Sequence, residues 1–189
     1  MDQLRRSLSL IPLHSADRRG GAFRGASARF AALVLSLASL AGCAERDTAV
    51  WQNSFDSADA LARAALAAYA SGDEAALGRL ALSEHELRTT VWPHLPASRP
   101  DVAMPWDYFW RDHAQRSTSH LRSLVNAHGG RGYDLVAVSF ARRDAYGPVT
   151  VHKETALDLR TPGGPARLRL FGSMAELRGR WKLYSYVVD

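Results

Sequence analysis

The chain has 189 residues, with 24 lysines and arginines against 19 aspartates and glutamates, formally +5, and one cysteine. A lone cysteine excludes an intramolecular disulfide. The charge is uneven: residues 1–42 hold six arginines and two aspartates, which leaves 18 basic and 17 acidic side chains in 43–189. No basic face remains there to follow a phosphate backbone, so nucleic acid is not an expected partner.

An Arg/Ser/Gly-rich stretch opens the chain and leads to Arg24 and Arg29. The apolar run Phe30–Ala41 follows, 12 residues long. That length suits the apolar core of a signal peptide and falls short of the roughly 20 residues that span a bilayer. Cys43 stands where this run meets the polar segment Ala44-Glu45-Arg46-Asp47. Leu40-Ala41-Gly42-Cys43 resembles the lipobox of bacterial lipoproteins. The resemblance implies diacylglycerol on the Cys43 thiol, cleavage before Cys43, and acylation of the new amine. Residues 1–42 are then a removed signal, and the expected partner of the mature chain is a membrane, held through its anchor. The expected location is the bacterial envelope, facing the periplasm; Ala44 after the cysteine favours the outer membrane under the family's sorting rule. The 29 residues before the apolar run are more than such signals usually carry. Arg18-Arg19 raises twin-arginine export as an alternative.

Residues 43–55 read as a lipid-anchored tether and 56–189 as a single domain, with Trp51 packing on the domain or lying at the lipid headgroups. Asp56–Ala70 is rich in Ala and Leu, and Asp56 is placed to cap a helix there. Ser71 and Glu74 have capping-box spacing for a second helix through about residue 82. Four prolines make 91–105 an irregular loop. Pro105–Gly130 is the strongest helix, opened by proline and closed by Gly129-Gly130. Its stripe Trp106, Phe109, Trp110, His113, Ser117, His120, Leu121, Leu124 and His128 carries polar groups in its middle.

Strands follow. Residues 133–141 are apolar on both parities. Residues 148–160 alternate, with Val149, Val151, Leu157 and Leu159 on one face and His152, Glu154 and Asp158 on the other. Residues 167–177 form a strand bent at Gly172, and 181–188 form the last. The expected architecture is α+β: N-terminal helices on one face of a curved C-terminal antiparallel four-strand sheet. The tail "LFGSMAELRGRWKLYSYVVD" resembles the closing strands of NTF2-like domains; a cystatin-like sheet wrapped on a helix is the alternative.

Candidate chemistry centres on the long helix. His113 and His120 lie seven residues apart on one face, their tips about 10 Å from each other, too far to share an ion. No HExxH or Cys/His ligand spacing is present, so no metal or other cofactor is expected. Lys153 falls on the apolar parity of its strand. An ion pair, an edge position or a local bulge accounts for it, and a buried catalytic amine is the alternative. The NTF2-like resemblance implies a pocket lined by Trp106, Trp110, His113, His120 and Lys153, with His113 and Lys153 as the candidate catalytic groups. The alternative for these residues is ordinary core and histidines bonded to backbone. The expected function is a non-enzymatic module binding a protein partner or small apolar ligand. A small isomerase- or hydrolase-type enzyme and an apolar-ligand carrier are the alternatives.

Overall fold

The computed structural model describes residues 51–188. Cys43 and residues 1–42 lie outside the described residues. The described body belongs to one compact unit, whose boundary along the chain falls between Gly42 and Cys43.

Helix α1 spans Ala58–Ser71 and α2 spans Glu74–Leu80. The caps differ from expectation by a residue or two. Ser57, not Asp56, accepts from the Ala60 amide, because the helix starts at Ala58 and Ser57 directly precedes it; Asp56 pairs with Arg180. Ser71 ends α1 instead of opening α2. Gly72 takes the left-handed conformation (φ 66°) that closes the helix, and the Asp73 side chain then caps α2. The capping box instead stands at Ser83 and Glu86, opening α3, Glu84–Glu86, which runs into a π-helical turn, Leu87–Val91. Two short 3-10 turns, Trp92–His94 and Pro96–Ser98, give the proline-rich segment local order. Helix α4 is Trp106–His128, with Pro105 and Gly129 at its ends as the sequence implies.

The C-terminal half is antiparallel sheet, but the described residues hold seven strands in two sheets rather than four in one. The strands are β1 (Asp134–Ser139), β2 (Arg142–Tyr146), β3 (Val149–Lys153), β4 (Ala156–Thr161), β5 (Gly164–Leu168), β6 (Ser173–Leu177) and β7 (Arg180–Ser185). One sheet has the order β1-β4-β5 and the other β2-β3-β6-β7, every pair antiparallel. The breaks have local causes. Glu154 sits at φ 55° between β3 and β4, a conformation that interrupts a ladder. Gly172 separates β5 from β6, where a Cβ would overlap the Val187 carbonyl oxygen. Single hydrogen bonds cross the breaks, Ala141 N–H to the Lys153 carbonyl at 3.2 Å and Thr155 N–H to the Gly172 carbonyl at 3.0 Å. Strand β2 escapes the sequence pattern because Arg142-Arg143-Asp144 is polar. It forms at the sheet edge, where its register with β3 sets Asp144 beside Val151.

The break at Glu154 also splits the face expected to unite Val149, Val151, Leu157 and Leu159. Leu157 and Leu159 enter a first core with Leu61, Ala65, Tyr69, Leu121 and Met174. Val149 and Val151 enter a second with Trp51, Leu87, Val91, Trp106 and Ala175. Met174 and Ala175 thus serve different cores, as alternation along a strand requires. The β2-β3-β6-β7 sheet therefore carries helical segments on both faces, α1 over one and the α3–α4 region over the other. Trp51 is fully buried in the second core, the packed alternative for that residue.

Candidate functional site at the α4–β7 edge

The polar groups in the middle of the α4 stripe meet the outer edge of β7. His113 Nε2 lies 3.1 Å from the Tyr184 carbonyl oxygen, so this nitrogen carries the proton and donates. The Tyr186 amide donates to Ser117 Oγ at 3.1 Å, and the Val188 amide to His120 Nδ1 at 3.4 Å. The three helical residues climb about 10 Å. Tyr184 on β7 and Tyr186 and Val188 on the segment that follows it span at most about 13 Å. One helix face thus bonds the backbone at the end of β7 and just beyond it. The rest of that edge is covered too: Phe55 and Trp181 exchange backbone bonds of 2.9 and 2.8 Å, and Leu82 N–H donates to the Leu183 carbonyl at 2.8 Å. An open edge is a template for pairing with another chain. Here the histidines close it.

Around this contact lies an aromatic ladder. Trp106 stacks on Trp110 (centroids 6.0 Å, 11°), His113 stacks on Phe109 and Trp110, and Tyr184 meets His113 edge-on at 5.1 Å. Trp106 is core rather than pocket wall, and its indole N–H donates to Glu84 Oε1 at 3.3 Å. Trp110, His113, Ser117, Leu121, Tyr184 and Tyr186 line a cleft of about 180 Å³. His120 is not among its lining residues. Burial lowers the His113 pKa, only partly opposed by its bond to the Tyr184 carbonyl, so the ring is neutral at pH 7 and Nδ1 holds a lone pair. Burial pushes the Tyr184 phenol up to about 12, and it keeps Tyr186 protonated as well. Tyr186 already donates to the Leu77 carbonyl at 2.5 Å. The cleft therefore offers aromatic walls, one neutral imidazole and protonated phenols.

Lys153 stands elsewhere. Its ammonium pairs with Asp144 and lies 3.4 Å from the Tyr146 hydroxyl. Burial alone would lower its pKa, but the bonds to Asp144 and Tyr146 raise it, so it stays a cation rather than a base. Asp144 is held below the usual carboxylate range chiefly by the Lys153 bond. The structural ion pair, not the catalytic amine, describes this lysine.

Two clusters were missed in the sequence. Glu86 and Lys182 are both buried and paired at 2.8 Å. Glu86 also accepts from the Gln52 amide (2.7 Å) and the Ser83 amide (2.8 Å). The signals were the Ser83/Glu86 spacing and a lysine between Trp181 and Leu183. His152 is buried between Phe140 (4.8 Å) and Trp181 (4.6 Å), its Nε2 2.9 Å from Glu176. Its alternating parity placed it opposite Val151 correctly, but nothing local showed that this face would be covered.

Among the described residues no cluster of three His, Cys, Asp or Glu side chains is placed to hold a metal ion. No family model, curated protein or solved structure matches this chain.

Proposed function

We propose that this chain is a lipid-anchored protein of the bacterial envelope, facing the periplasm, whose domain is a non-catalytic binding module with the Trp110–His113–Tyr184 cleft as its ligand seat. The anchor rests on Leu40-Ala41-Gly42-Cys43 and the apolar run before it. No helix among the described residues is long and apolar enough to cross a membrane. The NTF2-like resemblance belongs to this reading on the strength of element order and the C-terminal tail.

One observation carries the choice of binding over catalysis. His113 Nε2, Ser117 and His120 are committed to the backbone of β7 and of the residues just after it, and Lys153 to Asp144. A catalytic site needs a convergent acid and base with pKa values driven apart. Here the cleft is lined by one neutral imidazole and two protonated phenols among aromatic, apolar and hydroxyl side chains. A cavity of about 150 Å³ accommodates one aromatic ring. The class that fits is a small planar apolar molecule with one hydrogen-bond donor, a phenol or an indole, which His113 Nδ1 would accept from.

The anchor is tested by mass spectrometry of material from membranes: acylated Cys43 at the new N-terminus is expected, and an unmodified thiol in an uncut chain refutes it. The seat is tested by titrating phenol and indole while following melting temperature. Stabilisation that disappears in Trp110→Ala is expected; none in either protein removes this ligand class. The isomerase- or hydrolase-type reading keeps one supporting observation, the His113 Nδ1 lone pair. Turnover of an activated ester abolished by His113→Gln would restore it.

A further inference from the structure

The two sheets have four edge strands, β2 and β7 in one and β1 and β5 in the other. Three of them are blunted in ways that hinder a further strand from pairing. Strand β7 is covered by Phe55, Leu82 and α4. Strand β5 carries Pro165, which has no N–H to donate. Strand β1 is bulged between Leu135 and Ala137. Strand β2 has none of these devices. Its residues run in unbroken register with β3, from Arg142 opposite Lys153 to Tyr146 opposite Val149. Among the described residues its other side pairs with no strand and takes no backbone–backbone bond.

Charge decides what such an edge accepts. Arg142 and Lys153 stand directly opposite each other, and Arg143 follows on the other face. Asp144 is occupied by Lys153. Glu154 approaches Arg142 only to 3.9 Å, with both side chains open to water. Arg143 is exposed and forms no ion pair among the described residues. The start of the strand is therefore cationic on both faces. A second copy of the chain fits poorly there, because a two-fold axis at Arg143 or at Asp144 sets like charges directly opposite each other. A strand with carboxylates opposite the arginines has the complementary sign. Toward its other end β2 turns uncharged, with Ala145 and Tyr146.

We infer that β2 takes up an extended acidic segment of a partner protein as an added antiparallel strand, with two consecutive carboxylates opposite Arg142 and Arg143. Backbone bonds to the open edge hold the segment, and the two arginines select it. Opposite residues of an antiparallel pair share a face, so consecutive acids reach both arginines. Read against β2 from Tyr146 back to Arg142, a complementary sequence is Val-Val-Thr-Glu-Glu, with strand-forming residues opposite the uncharged end. This surface is separate from the α4–β7 cleft and stands whether or not that cleft holds a ligand.

The test is fluorescence anisotropy of the full-length chain with labelled Val-Val-Thr-Glu-Glu and Val-Val-Thr-Lys-Lys, both blocked at their ends. The acidic peptide should bind at least about tenfold more tightly, and its advantage should shrink with added salt. Arg142→Glu together with Arg143→Glu should reverse the preference. N-methylation separates strand pairing from charge alone, because every second amide of an added antiparallel strand faces its neighbour. Of the two alternately methylated acidic peptides, one should match the parent and the other should bind at least about tenfold more weakly. No preference for the acidic peptide, a preference kept in the double variant, or equal affinity of the two methylated forms overturns the inference.

Discussion

Lys182 on β7 and Lys153 on β3 project from the same face of the same sheet, since the register runs from Lys182 through Ala175 to Val151 and Lys153 lies two residues on. Each finds a carboxylate. Lys182 and Glu86 have side chains 4% and 6% exposed, and Glu86 is further bonded by two backbone amides. Lys153, on β3, and Asp144, on the edge strand β2 beside it, are 25% and 36% exposed. Coulomb attraction is similar in kind, but the surroundings decide its worth. A pair in water gains little because solvation competes, whereas a buried pair, once formed, cannot lose one member without leaving a bare charge. The lysine that looks anomalous in the sequence is the minor one, and the lysine hidden in a strand is the structural one.

Lys182→Met separates the two pairs most sharply. It strands the Glu86 carboxylate in the second core and should cost about 3–5 kcal/mol in urea unfolding. A loss under about 1 kcal/mol would mean that water reaches Glu86. Glu86→Gln with Lys182→Met removes both charges and should recover part of that loss; a double variant no more stable than the single one contradicts the account. Acid offers a second view. Burial alone would raise the Glu86 pKa, but bonds from Lys182, Ser83 and Gln52 bring it below the usual value. Its contribution is therefore complete above about pH 4.3, the ordinary glutamate value, and is lost as pH falls through the lower folded value.

Smaller effects concern the helix–strand contact, where neutral groups rather than ions are buried. Ser117→Ala leaves the Tyr186 amide without its acceptor and should destabilise by about 1–2 kcal/mol, measured by the urea midpoint at fixed slope. His113→Gln keeps a donor for the Tyr184 carbonyl but removes a titrating group. Because burial lowers the His113 pKa, its contribution is complete above about pH 6.5 and lost as pH falls through its folded value. The variant should lose less stability than the native chain between about pH 7 and about pH 5, and parallel curves would show that His113 does not titrate in that window. The smallest effect is expected at Lys153→Met, where the partner is partly open to water: the urea midpoint should hardly move, and a large drop would reverse the ranking of the two pairs.

The succession of helices and strands was legible because it is written in local chemistry. Pro105 and Gly129 bracket α4, alanine and leucine fill α1, and alternation marks 148–160 as extended chain, though not its division into β3 and β4. The sequence marks Gly172 as a bend within one strand, whereas it lies between β5 and β6 of different sheets, where only glycine admits the Val187 carbonyl. The stripe on α4 admits two outcomes for its histidines, and the structure takes backbone bonding for His113 and His120. What the sequence left open was which surfaces would meet. Glu86 and Lys182 are 96 residues apart, and His152 and Glu176 are 24 apart. A local pattern shows which side of an element is apolar but not what covers it. The break at Glu154, which moves Val151 and Leu157 into different cores, and the covering of both sheet faces arise from packing the whole chain at once. They decided that His113 closes a sheet edge and that Lys182, rather than Lys153, is the buried charge.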